Sequence, residues 1–227
     1  MPIEKYYFLL LYAPDSTDKF SSQIRGKTWF QKEMFVLSKH AKELDEETDY
    51  VPHLMGSYSE VVEELADQFE ISGYTETTGD SLKLTLEGRE FAEKVWNKAS
   101  SDERKLVTNV KALLNDLSYY ELLALIYTDY PDTAVNSQER AEVDRRRSEI
   151  AINLLKKDKV TFEKASQIAK KSRKAFSSLL KEKGVDLAEI ETKNVLHDRQ
   201  LIQELEASSE DSKRRRLTPW ETIRSSL

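Results

Sequence analysis

The chain has no cysteine, six glycines, five prolines and three histidines in 227 residues, and each scarcity closes a route to function. Without a thiol there is neither a disulfide framework nor a thiolate metal site such as a zinc finger. Glycine this sparse builds no phosphate-cradling loop, dinucleotide fingerprint or nucleophile elbow. His40, His53 and His197 are scattered with no carboxylate at ligand spacing, so each reads as a surface or loop side chain and no metal or cofactor is expected. Paired acids such as Glu63 and Glu64 are commonplace in a chain with 33% charged residues and carry no catalytic reading. Long apolar runs are missing as well. Tyr6 to Ala13 is far short of the roughly 20 residues that span a bilayer, and it lacks the basic start and cleavage site of a signal peptide. The expectation is a cytoplasmic protein that is neither an enzyme nor membrane-bound.

Charge is abundant and unevenly placed. From Arg140 to Gly184 there are fourteen Lys and Arg against six Asp and Glu, a net +8, which leaves −14 on the rest of a chain of net charge −6. Clustered cations neutralise phosphates and release condensed counterions, the sequence-independent part of nucleic-acid affinity. Composition shifts near Asn136: all ten Tyr lie between Tyr6 and Tyr130, and five of the six Gly lie before Arg89. With 39% hydrophobic residues, two modest cores are expected rather than one massive one. The boundaries read as 1–136, then a basic unit 137–198, then a tail 199–227. Within the tail the run Gln200 to Glu206 has the pattern of one amphipathic helix. Ser208 to Ser212 has no apolar face and Lys213 to Arg216 repel one another, so the tail is expected to be flexible.

Apolar spacing sets the other elements. Glu4 to Tyr12 suits a short buried helix that Pro14 cannot continue. Trp29, Phe30, Met34, Phe35 and Leu37 recur at helical spacing from Lys27 to about His40, and the acidic run Glu43 to Asp49 reads as solvated. A loop with Pro52 and Gly56 follows. Ser57 is placed to cap a helix with Val61, Val62, Leu65 and Phe69 on one face, closed by Gly73. Tyr74 to Thr77 and Ser81 to Leu86 read as a hairpin around Thr78, Gly79 and Asp80. Helices from Glu87 to Trp96 and from about Glu103 to Asn115 come next, and Ser118 with Glu121 makes the capping box of another. Pro131 stops that helix, Asp132 to Ser137 is the best linker candidate, and a long helix covers Gln138 to Lys157. The expected class is mainly α: a winged helix with a helical extension, followed by a second, basic helix-turn-helix domain.

In the basic unit, Thr161 can cap a helix with Phe162, Ala165, Ile168 and Ala169, and Ser172 a second with Phe176, Leu179 and Leu180. If those apolar faces pack together, the second helix turns Arg173, Lys174, Ser177, Ser178 and Lys181 outward. Basic and hydroxyl side chains are the types that contact base edges and phosphates in a major groove, and a helix N-terminus adds unpaired N–H groups for a phosphate. The same charge and spacing would suit an ordinary pair of basic helices with a solvated face. The candidate DNA-binding residues are Lys170, Lys171, Ser172, Arg173, Lys174, Ser177, Ser178 and Lys181.

The stretch from Arg145 to Glu191 resembles small prokaryotic helix-turn-helix proteins regarded as antitoxins, often encoded beside PIN-domain toxins. Lys164, Ala165, Ala169, Ser172, Arg173, Phe176, Leu179, Leu180, Gly184 and Val185 fit that pattern. It departs at the turn, where Lys170 and Lys171 stand for the usual glycine and apolar residue. A lysine there must adopt or avoid the left-handed conformation that glycine takes cheaply.

Gln31 and Lys32, with Gly56, Tyr58 and Ser59, resemble elements of the YwgA-like winged-helix family of bacteria and archaea and of the related Panacea-type antitoxins, with Ser57 in place of the usual proline. This resemblance covers about Lys5 to Ser137 and implies a fold more than an activity. In the recognition position it places Ser57 to Glu70, which carries Glu60, Glu63, Glu64, Asp67 and Glu70 with no Lys or Arg. Five acids repel a phosphate backbone, so this half is expected to bind protein or to dimerise, unless it is a plain solvated acidic face. The whole chain is therefore expected to be a homodimeric, DNA-binding transcriptional regulator, with an antitoxin-like role implied by resemblance. Its double-stranded DNA is read by the C-terminal unit. The competing expectation is an adaptor that binds a protein partner, for instance neutralising a toxin, without a DNA site of its own.

Overall fold

The computed structural model describes residues 2–186, so the expectations for the tail 199–227 lie outside the described residues. The first helix, α1 (Pro2–Tyr12), is apolar on nearly every side and is the axis of the N-terminal half, burying Ile3 and the whole run from Tyr6 to Leu11. A helix hydrophobic all round is stable only inside a core. Around it lie α2 (Gly26–His40), α3 (Lys42–Thr48), α4 (Glu60–Ile71), α5 (Leu86–Lys98) and α6 (Ser101–Leu114). Tyr7 meets the rings of Phe30 and Phe69 at 5.1 and 4.7 Å, and its hydroxyl donates to Thr75 Oγ1 at 3.1 Å.

Two antiparallel hairpins punctuate these helices: β1 (Val51–His53) with β2 (Gly56–Tyr58), and β3 (Thr75–Thr78) with β4 (Ser81–Leu84). The second is the expected one, paired Thr75 to Leu84 and Thr78 to Ser81. It is extended by Ile24, which exchanges two backbone hydrogen bonds of 2.9 Å with Leu82. Gly88 is required just beyond, since a Cβ there would lie 1.8 Å from the Tyr74 carbonyl oxygen.

The structure differs from the sequence reading at three points before residue 100. The acidic run is helical: α3 inserts Leu44 and Thr48 while most of its other side chains face solvent. The loop with Pro52 and Gly56 is the β1–β2 hairpin, with Pro52 opposite Ser57. Because β2 keeps the chain extended to Tyr58, the cap of α4 is Ser59, whose Oγ accepts from Val62 N at 3.2 Å, and Ser57 is buried on the strand instead.

Later caps fall where side-chain chemistry places them. Thr85 caps α5, Ser100 and Glu103 form a reciprocal box at α6, and at α7 (Tyr119–Asp129) Ser118 N–H donates to Glu121 Oε2 at 2.8 Å. The Asp132 to Ser137 stretch begins in a 3-10 turn (Pro131–Ala134) that buries Thr133 and Ala134. It is tied to the first hairpin by Asn136 Nδ2 to Pro52 O at 3.2 Å and Gln138 N to Leu54 O at 3.0 Å. The chain ends its described part with α8 (Arg140–Lys156), α9 (Phe162–Ile168) and α10 (Arg173–Glu182). The described protein is thus mainly helical with two small sheets, and buried side chains on both sides of Asn136 join in one core. Among the described residues no helix is long and apolar enough to cross a membrane.

Candidate nucleic-acid interface

The C-terminal surface is built on α8, which buries Val143, Ile150, Ala151, Leu154 and Leu155 and lays a floor for the two short helices that follow. Thr161 Oγ1 accepts from Lys164 N at 3.2 Å and opens α9, which buries Ala165 and Ile168. Ser172 Oγ accepts from Ala175 N at 3.2 Å and opens α10, which buries Phe176 and Leu180. Phe162 and Phe176 meet at 5.5 Å, so the two apolar faces pack as the spacing requires.

The turn between them settles the question raised by its missing glycine. Lys170 takes the left-handed conformation, with φ of 52°. Its N–H donates to Gln167 O at 2.9 Å, and Lys171 N–H donates to Ser166 O at 3.0 Å, which satisfies two terminal carbonyls of α9. The Lys170 ammonium lies 3.0 Å from Asp144 Oδ1 on α8. Burial raises the Asp144 carboxyl, but the hydrogen bonds from Arg147 and Lys170 outweigh it and hold the group below its ordinary value.

Of the eight candidate residues, Lys170, Lys171, Ser172, Arg173, Lys174, Ser178 and Lys181 are exposed and Ser177 is half-buried. They gather around the turn and on the outer side of α10, opposite Phe176 and Leu180. Arg173 is paired with Glu163 at 2.9 Å, and Ser178 Oγ donates to the Lys174 carbonyl at 3.1 Å. Among the described residues, Lys171, Lys174 and Lys181 have no ion-pair partner, so their charges face solvent.

The charge count of the basic unit is not a measure of this surface. Four of its fourteen cations point inward onto the acidic half. Lys157 lies 2.7 Å from Glu121, Lys159 lies 2.9 Å from Asp116, and Lys164 pairs with Asp129. Arg147, its side chain only 8% exposed, donates to Thr128 Oγ1 at 3.1 Å and to the Ile168 carbonyl at 3.2 Å, which joins α8 to α7 and to the end of α9. Residue type alone gave no sign of this division, because a lysine facing a carboxylate and one facing water look alike in a sequence.

Sequence reasoning also passed over an open groove of about 910 Å³ between α8 and α10. Its walls include Arg145, Arg146, Asn153, Lys156, Leu179 and Lys183, which adds four cations beside the candidate residues of α10. Arg146 is fixed there by Tyr120, whose ring lies 4.7 Å from the guanidinium. The acidic face of α4 is partly neutralised by Lys27, 2.7 Å from Asp67, while Tyr58 donates its hydroxyl to Glu63. Among the described residues no group of three His, Asp or Glu side chains is placed to hold a metal ion.

Compared with known families, residues 126–204 match the Uncharacterised protein family (UPF0175). The matched stretch begins inside α7, takes in α8, α9 and α10, and leaves the N-terminal half outside it. No curated protein matches the chain, and no solved structure does.

Proposed function

We propose that the protein is a cytoplasmic, DNA-binding transcriptional regulator with an antitoxin-like role, and that α9 and α10 act as a helix-turn-helix with α10 in the major groove. The observation that carries this reading is the sorting of α10: Phe176 and Leu180 inward, and Arg173, Lys174, Ser178 and Lys181 outward beside the unpaired Lys171. Ser172, Ser177 and Ser178 are suited to hydrogen bonds with base edges or phosphates, and the lysines to phosphates. Lys170 and Arg173 are shared with Asp144 and Glu163, so their engagement with DNA exchanges one anion for another. The reading includes no catalytic step and no cofactor. It takes residues 137–198 as the DNA-reading domain and the protein as a homodimer, because a single short helix gives weak affinity and paired half-sites raise it.

In this reading α2, α4 and the β3–β4 hairpin of residues 1–136 form a winged helix, with α6 and α7 as its helical extension. Its α4 faces a protein rather than DNA. The same acidic α4 favours the second reading, an adaptor that neutralises a protein partner and has no DNA site.

The test is fluorescence anisotropy with a duplex of the protein's own promoter, with wild type and a Lys171→Glu, Lys174→Glu, Lys181→Glu triple variant. All three positions are exposed, so the circular dichroism spectrum stays the same while binding is lost. With about four to six phosphates contacted, log K against log salt for the wild type slopes at roughly −4 to −5. A folded triple variant that binds as tightly as wild type, or affinity indifferent to salt, overturns the DNA-reading proposal.

A further inference from the structure

A second site lies in the N-terminal half, between α2 and the β1–β2 hairpin, in a cavity of about 180 Å³. Lys32, Gln31, Ser57, Tyr58, His53 and Met55 line it. Lys32 is only 2% exposed, yet its ammonium has one hydrogen-bond partner among the described residues, the Ser57 carbonyl at 2.5 Å. An ammonium carries three donors, and buried charges are nearly always paired. The nearby carboxylate, Glu63, is engaged elsewhere, by the Tyr58 hydroxyl and by Lys27 at 3.9 Å. Ser57, 1% exposed, has a buried Oγ with no hydrogen-bond partner among the described residues. Gln31 beside them is already engaged, since its amide donates to Ser59 O at 2.8 Å and accepts from Ser59 N at 3.2 Å. Two adjacent, unsatisfied polar groups on one wall are an exception that a ligand would remove. Gly56 keeps that approach open, because a Cβ there would lie 3.4 Å from Lys32 Nζ and 3.0 Å from the Tyr127 ring.

We propose that this cavity binds a small carboxylate, whose oxygens accept from Lys32 Nζ and Ser57 Oγ while Met55 and the neighbouring rings of His53 and Tyr58 border its apolar end. One buried ammonium balances one negative charge, and Glu63 at the rim disfavours a dianion such as phosphate. The ring centroids of His53 and Tyr58 are 4.8 Å apart with their planes inclined at 32°, an aromatic wall for a short aliphatic chain. The carboxylate is either a free small molecule or an acidic side chain of a bound polypeptide. The site is independent of DNA reading by α10.

The experiment uses the full chain, with Lys Cε signals followed by NMR across pH, without ligand, with butyrate, and with a blocked Ala-Glu-Ala peptide. Burial holds the free Lys32 ammonium down at about 7. A bound carboxylate stabilises the charged form, so its midpoint rises by about one pH unit or more. Affinity is then greatest below that midpoint and falls by up to about tenfold per pH unit above it. The other titratable groups around the cavity are Lys27 on α2, His53 and Tyr58 on the hairpin, Glu63 on α4 and, beside Gly56, Tyr127 on α7. The fall must therefore persist in a His53→Gln variant. Response to butyrate identifies a free carboxylate, and response to the peptide alone identifies a side chain. Lys32→Met should weaken binding by about tenfold or more, and Ser57→Ala by roughly threefold or more, the latter serving if the former does not fold. No movement of Lys32 with either probe, or unchanged affinity in a folded variant, overturns the proposal.

Discussion

Lys157 near the end of α8 donates to Glu121 in the first turn of α7 across 2.7 Å, so one carboxylate both closes a helix cap and anchors the basic unit on the acidic half. The Glu121 side chain is 4% exposed and that of Lys157 45%, so the pair is sheltered on one side only. Around it, Lys159 with Asp116 and Lys164 with Asp129 repeat the same attachment, and Arg147 adds a hydrogen bond to the neutral Thr128 hydroxyl. Opposite charges on the two halves therefore add to the apolar core that the halves share, besides leaving a cationic surface on α10.

Glu121→Gln keeps a side chain that serves a capping box but removes the charge facing Lys157. Burial alone would raise the Glu121 carboxyl, but hydrogen bonds from Lys157 and Ser118 outweigh it and hold the group below its ordinary value of 4.5. A depressed folded value means stabilisation that is complete above the ordinary value and is lost as pH falls through the folded one. Urea unfolding near neutral pH is expected to show a loss of about 1–2 kcal/mol, a little less than for a fully buried charged hydrogen bond because Lys157 is half in water. At about pH 3 the gap between variant and wild type should narrow. An equal gap at both pH values would mean that the effect is steric.

At the turn between α9 and α10 the strain of Lys170 is measurable. A non-glycine residue at a φ of 52° costs about 1–2 kcal/mol relative to glycine, while glycine gains entropy in the unfolded chain. The exposed Lys170 to Asp144 pair contributes little. Lys170→Gly is therefore expected to leave stability unchanged or raise it by up to about 1 kcal/mol, and Lys170→Ile to lower it by about 1–2 kcal/mol, because a β-branched side chain tolerates this conformation worst. Thermal unfolding of the two variants checks it, and a stable isoleucine variant beside a damaged glycine variant would refute the left-handed turn.

Much of the helical frame was legible in the sequence because caps and turns are local chemistry. Thr161, Ser172, and Ser118 with Glu121 each need only a partner within three residues, and Gly73 and Gly79 take positive φ where the pattern breaks. What escaped depends on distant neighbours. The helix α3 buries only Leu44 and Thr48, too few to mark a period, and the β1–β2 strands are three residues each, held partly by the turn after Pro131. At the candidate interface the exposed Arg173, Lys174, Ser178 and Lys181 of α10 followed from the positions of Phe176 and Leu180, because on a short helix the buried face fixes the exposed one. The groove with Arg145 and Lys183 did not, since it needs the position of α8 against α10.

The buried ionisable groups of α2 and α6 make stability depend on pH in a way that a solvated surface would not. Glu33 is 0% exposed, its carboxyl oxygens have no hydrogen-bond partner among the described residues, and burial, only partly offset by the Lys111 charge, pushes it up to about 8. Lys111 is held by the carbonyls of Leu11 and Ala13 at 3.0 and 2.9 Å, and burial lowers it to about 8 against the opposing pull of Glu33 and Asp15. Between 4.5 and about 8 the folded protein retains a proton on Glu33 that the unfolded chain releases, so this group makes stability fall as pH rises. Lys111 and Lys32 act oppositely: from their folded values of about 8 and about 7 up to 10.5 the unfolded chain binds the extra proton, and stability rises with pH. Together they predict a minimum of stability near pH 7 to 8, the window in which the falling and rising contributions meet. Glu33→Gln has no proton to lose, so the fall between about pH 5 and 7 is expected to flatten, and near pH 8 the variant should be more stable than wild type. Urea unfolding across this range measures both, and a Glu33→Gln protein with the pH profile of wild type would show that Glu33 titrates as a solvated acid.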